Sequence, residues 1–143
     1  MDKLPDFILR HPLLVSATLL AVVALIANEL RLRMQAGLAV PAQEAVRLIN
    51  QGATVVDVRD AARFESGHII DAINVPAADL ATAAAERLKK KRPVLVVCDG
   101  GGSSARLVPV LRKAGFEKAW SLQGGLSAWE RERLPVVAGK AQA

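Results

Sequence analysis

The sequence predicts an α/β domain on a mainly parallel sheet with helices on both faces, preceded by one N-terminal transmembrane helix. Three observations carry this. After the N-terminal segment, short β-branched runs alternate with helical patterns, the mark of crossover connections between parallel strands. One run, Val94-Leu95-Val96-Val97-Cys98, is apolar throughout, as in a parallel strand covered on both faces. Residues 13–27, LLVSATLLAVVALIA, are fifteen consecutive positions without a charge.

That uncharged run is hydrophobic all round, with Ser16 and Thr18 able to bond back to helix carbonyls. As a helix it is about 22 Å long, short of a hydrocarbon core of about 30 Å unless its flanks contribute. Phe7, Ile8 and Leu9 extend the apolar stretch, and Arg10 and Arg31 have stems long enough to snorkel. Pro12 suits a first helical turn. Three readings compete: a spanning anchor, a cleaved signal peptide and a buried core helix. No small-x-small cleavage site follows the run, and it lacks the polar face of a packed helix. The anchor is therefore expected over residues 1–33, with its helix at about 12–30, and the globular domain over 34–143. Lys3 and Arg10 before the run, against Arg31, Arg33 and Arg47 after it, tip the globular part slightly to the cytoplasmic side of a bacterial inner membrane. A lone thiol stays reduced there.

The globular elements follow in order. Residues 41–50 read as a helix with Pro41 in its first turn and Gly52 beyond its end. Residues 54–58 read as a buried strand, 61–66 as a short helix stopped by Gly67, and 72–75 as a strand ended by Pro76. A helix is expected over 78–90 and a strand over 94–98 that ends in glycines. A further helix over 106–114 is capped by Gly115, and a strand over 118–122 and a helix over 126–133 complete the chain.

Composition narrows the function. The 143 residues hold one cysteine and two histidines, so neither a disulfide scaffold nor a Cys- or His-rich metal centre is expected, and no cofactor is implied. The net charge is +5, and 15 Lys+Arg against 11 Asp+Glu after residue 33 leave +4 on the globular part. Part of this is the run Lys89-Lys90-Lys91-Arg92, which at a helix C-terminus complements the dipole. Nucleic acid is not the expected partner, because aromatics make up 3% of the chain and no nucleic-acid motif appears; an anionic lipid surface fits the excess better.

Cys98 sits where its strand gives way to Asp99-Gly100-Gly101-Gly102-Ser103-Ser104 and then a helical pattern. Ligands bind at such carboxyl ends in open parallel sheets. Consecutive glycines let backbone N–H groups turn inward as an anion-binding nest, and the helix dipole adds to it. Such a cradle stabilises a thiolate, a bound sulfane sulfur or an oxyanion. Two readings stand: a buried small hydrophobe, which free cysteine often is, or a reactive thiol. Three glycines in a row favour close approach by a ligand.

Three segments here resemble the opening signature of the rhodanese-like domain family: Val55-Val56-Asp57-Val58-Arg59, then Phe64-Glu65-Ser66-Gly67-His68-Ile69, then Ala72-Ile73-Asn74-Val75-Pro76. The strand and loop of Cys98, Ala114-Gly115-Phe116, and Leu122-Gln123-Gly124-Gly125-Leu126-Ser127-Ala128-Trp129 are similar to its later signatures, so the resemblance spans about residues 40–137. With the single N-terminal helix, the arrangement is similar to the small membrane-anchored rhodaneses of proteobacteria. The resemblance implies a sulfurtransferase carrying a persulfide on Cys98, taking sulfane sulfur from a small donor and passing it to a thiol acceptor. It implies an anion-binding loop of Asp99, Gly100, Gly101, Gly102, Ser103 and Ser104. Many active members carry arginines at the positions of Asp99 and Ser103, so weak use of thiosulfate is expected, with Arg106 replacing part of the missing charge. The alternative is a catalytically weak module that docks or scaffolds at the membrane. Asp57, Arg59, Glu65 and His68 are expected to form a supporting polar network, and Trp120 and Trp129 to pack.

Overall fold

The computed structural model describes residues 9–140, and of residues 31–36 only the backbone. The contributions expected of Lys3, Phe7 and Ile8, and of the Arg31 and Arg33 side chains, lie outside the described residues. The chain divides into two compact units, Met1–Met34 and Gln35–Ala143.

The first unit is dominated by helix α1, Pro12–Ala36. Its window Pro12–Leu30 has a mean hydropathy of 2.1 over 19 residues, about 28 Å of helix, and none of it is buried. By length and composition it can cross a membrane. Ser16 Oγ donates to the Leu13 carbonyl at 3.1 Å and Thr18 Oγ1 to the Leu14 carbonyl at 2.8 Å, so both hydroxyls are satisfied within the helix.

The second unit is a five-stranded sheet in the order β1-β5-β4-β2-β3, parallel throughout. The strands are β1 (Ala39–Val40), β2 (Thr54–Asp57), β3 (Ile73–Asn74), β4 (Val94–Val97) and β5 (Ala119–Leu122). The helices are α2 (Ala42–Asn50), α3 (Ala61–Ser66), α4 (Leu80–Arg87), α5 (Gly102–Lys113) and α6 (Gly125–Arg131).

The alternation of β-strand side chains divides the core in two. Val56, Val94, Val96 and Ala119 meet α4 and α5 through Leu80, Ala84, Val108 and Leu111. Val55, Leu95, Val97 and Leu122 meet α2, α3 and α6 through Ala45, Phe64, Leu126 and Trp129. Helices thus cover both faces, and every side chain of β4 is buried. Full burial of each large side chain such as Leu95, Leu111 or Phe64 is worth about 1.5–3 kcal/mol. Trp129 packs with Nε1 donating to the Pro135 carbonyl at 3.0 Å, and the Arg112 guanidinium lies 5.9 Å from the ring centre of Trp120.

Most elements stop a residue or two inside the expected bounds, α4 beginning at Leu80 rather than at 78, and the differences that follow bear on the sheet or the site. Strand β1 is added, because two residues carry no periodic signal; it pairs Ala39 with Ser121 and Val40 with Leu122. Helix α4 stops at Arg87 instead of reaching residue 90, since Leu88 turns extended and buries its side chain, so the run 89–92 is loop. Helix α5 begins at Gly102, four residues before the expected start. Glycine and serine have weak helix propensity, but Gly101 at φ +86° turns the chain and accepts from the Ala105 N–H at 3.1 Å. Helix α6 begins one residue early, at Gly125, and ends at Arg131.

Candidate active site

The site lies at the carboxyl edge of the sheet. Strands β2 and β4 are neighbours, Asp57 stands opposite Val97, and the Val58 N–H donates to the Val97 carbonyl at 2.9 Å. This register places the loop after Asp57 beside the loop after Val97. The two loops bound a cleft of about 290 Å³ lined by Val58, Arg59, Asp60, Arg63, Ala77, Cys98, Asp99, Gly100, Gly102 and Ser103.

Cys98 continues the alternation of β4 and is 6% exposed. Its Sγ accepts from the Gly101 N–H at 3.1 Å and from the Ser104 N–H at 3.4 Å. The thiol donates to Ser104 Oγ at 3.3 Å, and that hydroxyl donates to the Gly101 carbonyl at 3.1 Å. Ser104 is fully buried, in the first turn of α5. Two amides thus donate to one sulfur at the start of a helix, an arrangement suited to an anionic sulfur. Gly100, Gly102 and Ser103 are exposed along the cleft wall.

The loop is held from outside by α6. The Leu126 N–H donates to the Cys98 carbonyl at 2.8 Å and the Ser127 N–H to the Asp99 carbonyl at 3.1 Å. Gly125, at φ +59°, permits this approach: a Cβ there would lie 2.3 Å from the Cys98 carbonyl oxygen and 2.5 Å from that of Asp99. The Gly124-Gly125 pair of the closing signature is therefore a buttress of the cysteine loop.

Electrostatics are set by a chain of ions. Arg59 binds Asp57 through Nε at 2.9 Å and Nη2 at 2.6 Å, and Nη2 also donates to the Gly67 carbonyl at 2.6 Å. Asn74 Nδ2 ties the same turn down by donating to the carbonyls of Asp57 at 3.2 Å and Arg59 at 2.9 Å. The hydrogen bonds that Arg59 donates to Asp57 hold its guanidinium above the ordinary range despite burial, with the charges of Asp57 and Asp99 adding to the effect. Asp99 is met by Arg59 Nη1 at 3.4 Å and by Arg63 Nη1 in a close pair. The carboxylate beside the sulfur is thus compensated by two guanidinium groups, those of Arg59 and Arg63 rather than that of Arg106.

Of the residues singled out, the structure brings together Cys98, the loop 99–104, Asp57 and Arg59. Arg106 is exposed on α5 and does not line the cleft. His68 is buried apart from the Arg59 network, with Nδ1 2.8 Å from the Phe64 carbonyl oxygen and its ring stacked on Phe64 at 3.7 Å. The Glu65 side chain is exposed, and its carbonyl accepts from the Gly139 N–H at 2.9 Å. Sequence reasoning missed Arg63. It sits on α3 in the stretch Asp60-Ala61-Ala62-Arg63, where Asp60 caps the helix by accepting from the Arg63 N–H at 2.9 Å. Knowing that β2 and β4 are neighbours is what brings Arg63 to the cysteine loop.

The rhodanese-like domain profile matches residues 41–132. The uncharacterized protein YibN of Escherichia coli K12 is 33% identical over 143 residues, covering 98% of this chain and all of that protein. The thiosulfate sulfurtransferase GlpE of Pseudomonas savastanoi pv. phaseolicola is 37% identical over 90 residues, 63% of this chain and 84% of that one. Among solved structures, the Alr3790 protein of Anabaena superposes with a TM-score of 0.64 at 33% identity, covering 70% of this chain and 80% of that one. A full-length protein of Lactobacillus plantarum superposes at 0.65 with 30% identity, covering 75% and 92%.

Proposed function

The chain belongs to the rhodanese-like domain family, and from that premise we propose that it is a membrane-tethered sulfurtransferase that carries sulfane sulfur on Cys98. The observation that carries this reading is the convergence of the Gly101 and Ser104 amides on Cys98 Sγ at the floor of an open cleft. Likeness to sulfurtransferases of the GlpE type over 87 to 90 residues supports the reaction class.

In the proposed cycle the Cys98 thiolate attacks the sulfane sulfur of a donor. A sulfur–sulfur bond forms, the bond to the donor breaks, and the electron pair leaves with the donor. A thiolate acceptor then attacks the outer sulfur of the persulfide and returns Cys98 as thiolate. Both charged forms gain from the two amides, and the Ser104 hydroxyl, now accepting from the thiol, can rotate to donate to the anionic sulfur. With both arginines engaged by Asp57 and Asp99, the cleft favours a neutral or protein-bound persulfide donor over thiosulfate.

The full chain in detergent, incubated with polysulfide and weighed intact, is expected to gain one sulfur atom, and Cys98→Ser is expected to lose the gain. No adduct with polysulfide or thiosulfate would overturn the reading in favour of a docking module at the membrane. Helix α1 supplies the proposed tether, and a bacterial inner membrane is its proposed location.

A further inference from the structure

In an all-parallel sheet every strand begins at the same end, so the starts of β1, β4 and β5 share one end of the globular unit, opposite Cys98. That end collects charge. Lys89, Lys90, Lys91 and Arg92 precede β4, Lys118 precedes β5, and Lys113 ends α5 as it returns to this side. All six are exposed, and among the described residues none is in an ion pair. Lys90, Lys91 and Lys118 line one shallow cleft of about 360 Å³ with Glu117, the carboxylate among them. The run 89–92, Lys113 and Lys118 thus bring six cations to this end, with Glu117 as the carboxylate in their cleft. Helix-dipole compensation does not account for the cluster, since α4 stops at Arg87 and residues 89–92 and 118 are loop. The same end receives the polypeptide from α1. Gly37 and Leu38 alone separate Ala36 from β1, and the Leu38 carbonyl is fixed by the Ser121 N–H at 2.8 Å.

We propose that this basic end is a docking surface for anionic lipid headgroups of the membrane holding α1, with Cys98 opening away from the bilayer. The inference rests on the reading of α1 as an anchor. Clusters of four to eight Lys/Arg beside a membrane helix bind anionic lipid, and a short tether keeps the cluster at high effective concentration near the surface.

The test reconstitutes the full chain into vesicles of phosphatidylcholine alone or with phosphatidylglycerol, floats them, and acetylates exposed lysines with an impermeant reagent read by mass spectrometry. Lys89, Lys90, Lys91, Lys113 and Lys118 are expected to react about fivefold more slowly on the anionic vesicles. The protection is expected to vanish in about 1 M salt, where the Debye length is about 3 Å. Flotation with both vesicles and equal acetylation on both overturns the docking surface and leaves the anchor standing. Flotation with anionic vesicles alone, abolished by salt and by Lys89→Gln/Lys90→Gln/Lys91→Gln, supports the surface and overturns the anchor. Flotation with neither overturns both.

Discussion

Asp99 directly follows the proposed nucleophile and would repel an anionic donor if it stood alone, yet it is held by Arg59 and Arg63. The pairing cuts both ways: it relieves the sulfur of a nearby bare carboxylate, and it occupies the two guanidinium groups that could bind thiosulfate. Asp99→Asn is therefore expected to lower the KM for thiosulfate about tenfold, the worth of one charge-assisted hydrogen bond. The gain should disappear in Asp99→Asn/Arg63→Ala; an unchanged or higher KM in the single variant would count against this account. Cys98 and its glycine loop were legible in the sequence, because an apolar strand running into three glycines is a local pattern. Arg63 was not, because it meets Asp99 across 36 positions, and nothing local to either residue announces the other.

At the level of elements, the short helix α6 fixes the conformation that brings amides to the sulfur. Two of the unpaired N–H groups of its first turn, those of Leu126 and Ser127, are spent on the carbonyls of Cys98 and Asp99 rather than on a side-chain cap. Gly125→Ala must strain a left-handed backbone, at about 1–3 kcal/mol, and also displace the Cys98 carbonyl. Thermal unfolding is expected to shift down, and sulfur loading of Cys98 to fall more than the stability loss explains. A variant that loads normally would refute the buttress. The middle of each long element was readable from its periodicity and β3 from the proline that follows it, whereas β1, two residues long, carried neither signal. The start of α5 was hidden because Gly102, Ser103 and Ser104 are chosen for the cradle rather than for helix propensity.

For the whole molecule, the alternation of elements revealed a parallel α/β unit but not the strand order β1-β5-β4-β2-β3, since periodicity says which face a residue takes and not which strand lies beside it. From the slight positive bias after α1 we infer a cytoplasmic globular unit in the proposed topology. Protease added to spheroplasts is expected to spare it and protease added to inverted vesicles to digest it; the reverse pattern would invert the topology. The strand order also has a temporal side. Strand β5 is made last but belongs in the interior, between β1 and β4, and the α6 residues that pin the cysteine loop follow it. A ribosome delivers the N-terminal parts first, so a chain still being translated already holds its thiol but not the pins that align the amides. Under the proposed function, ordered sulfur loading of Cys98 therefore waits until residues 119–127 have been made and packed against the loop.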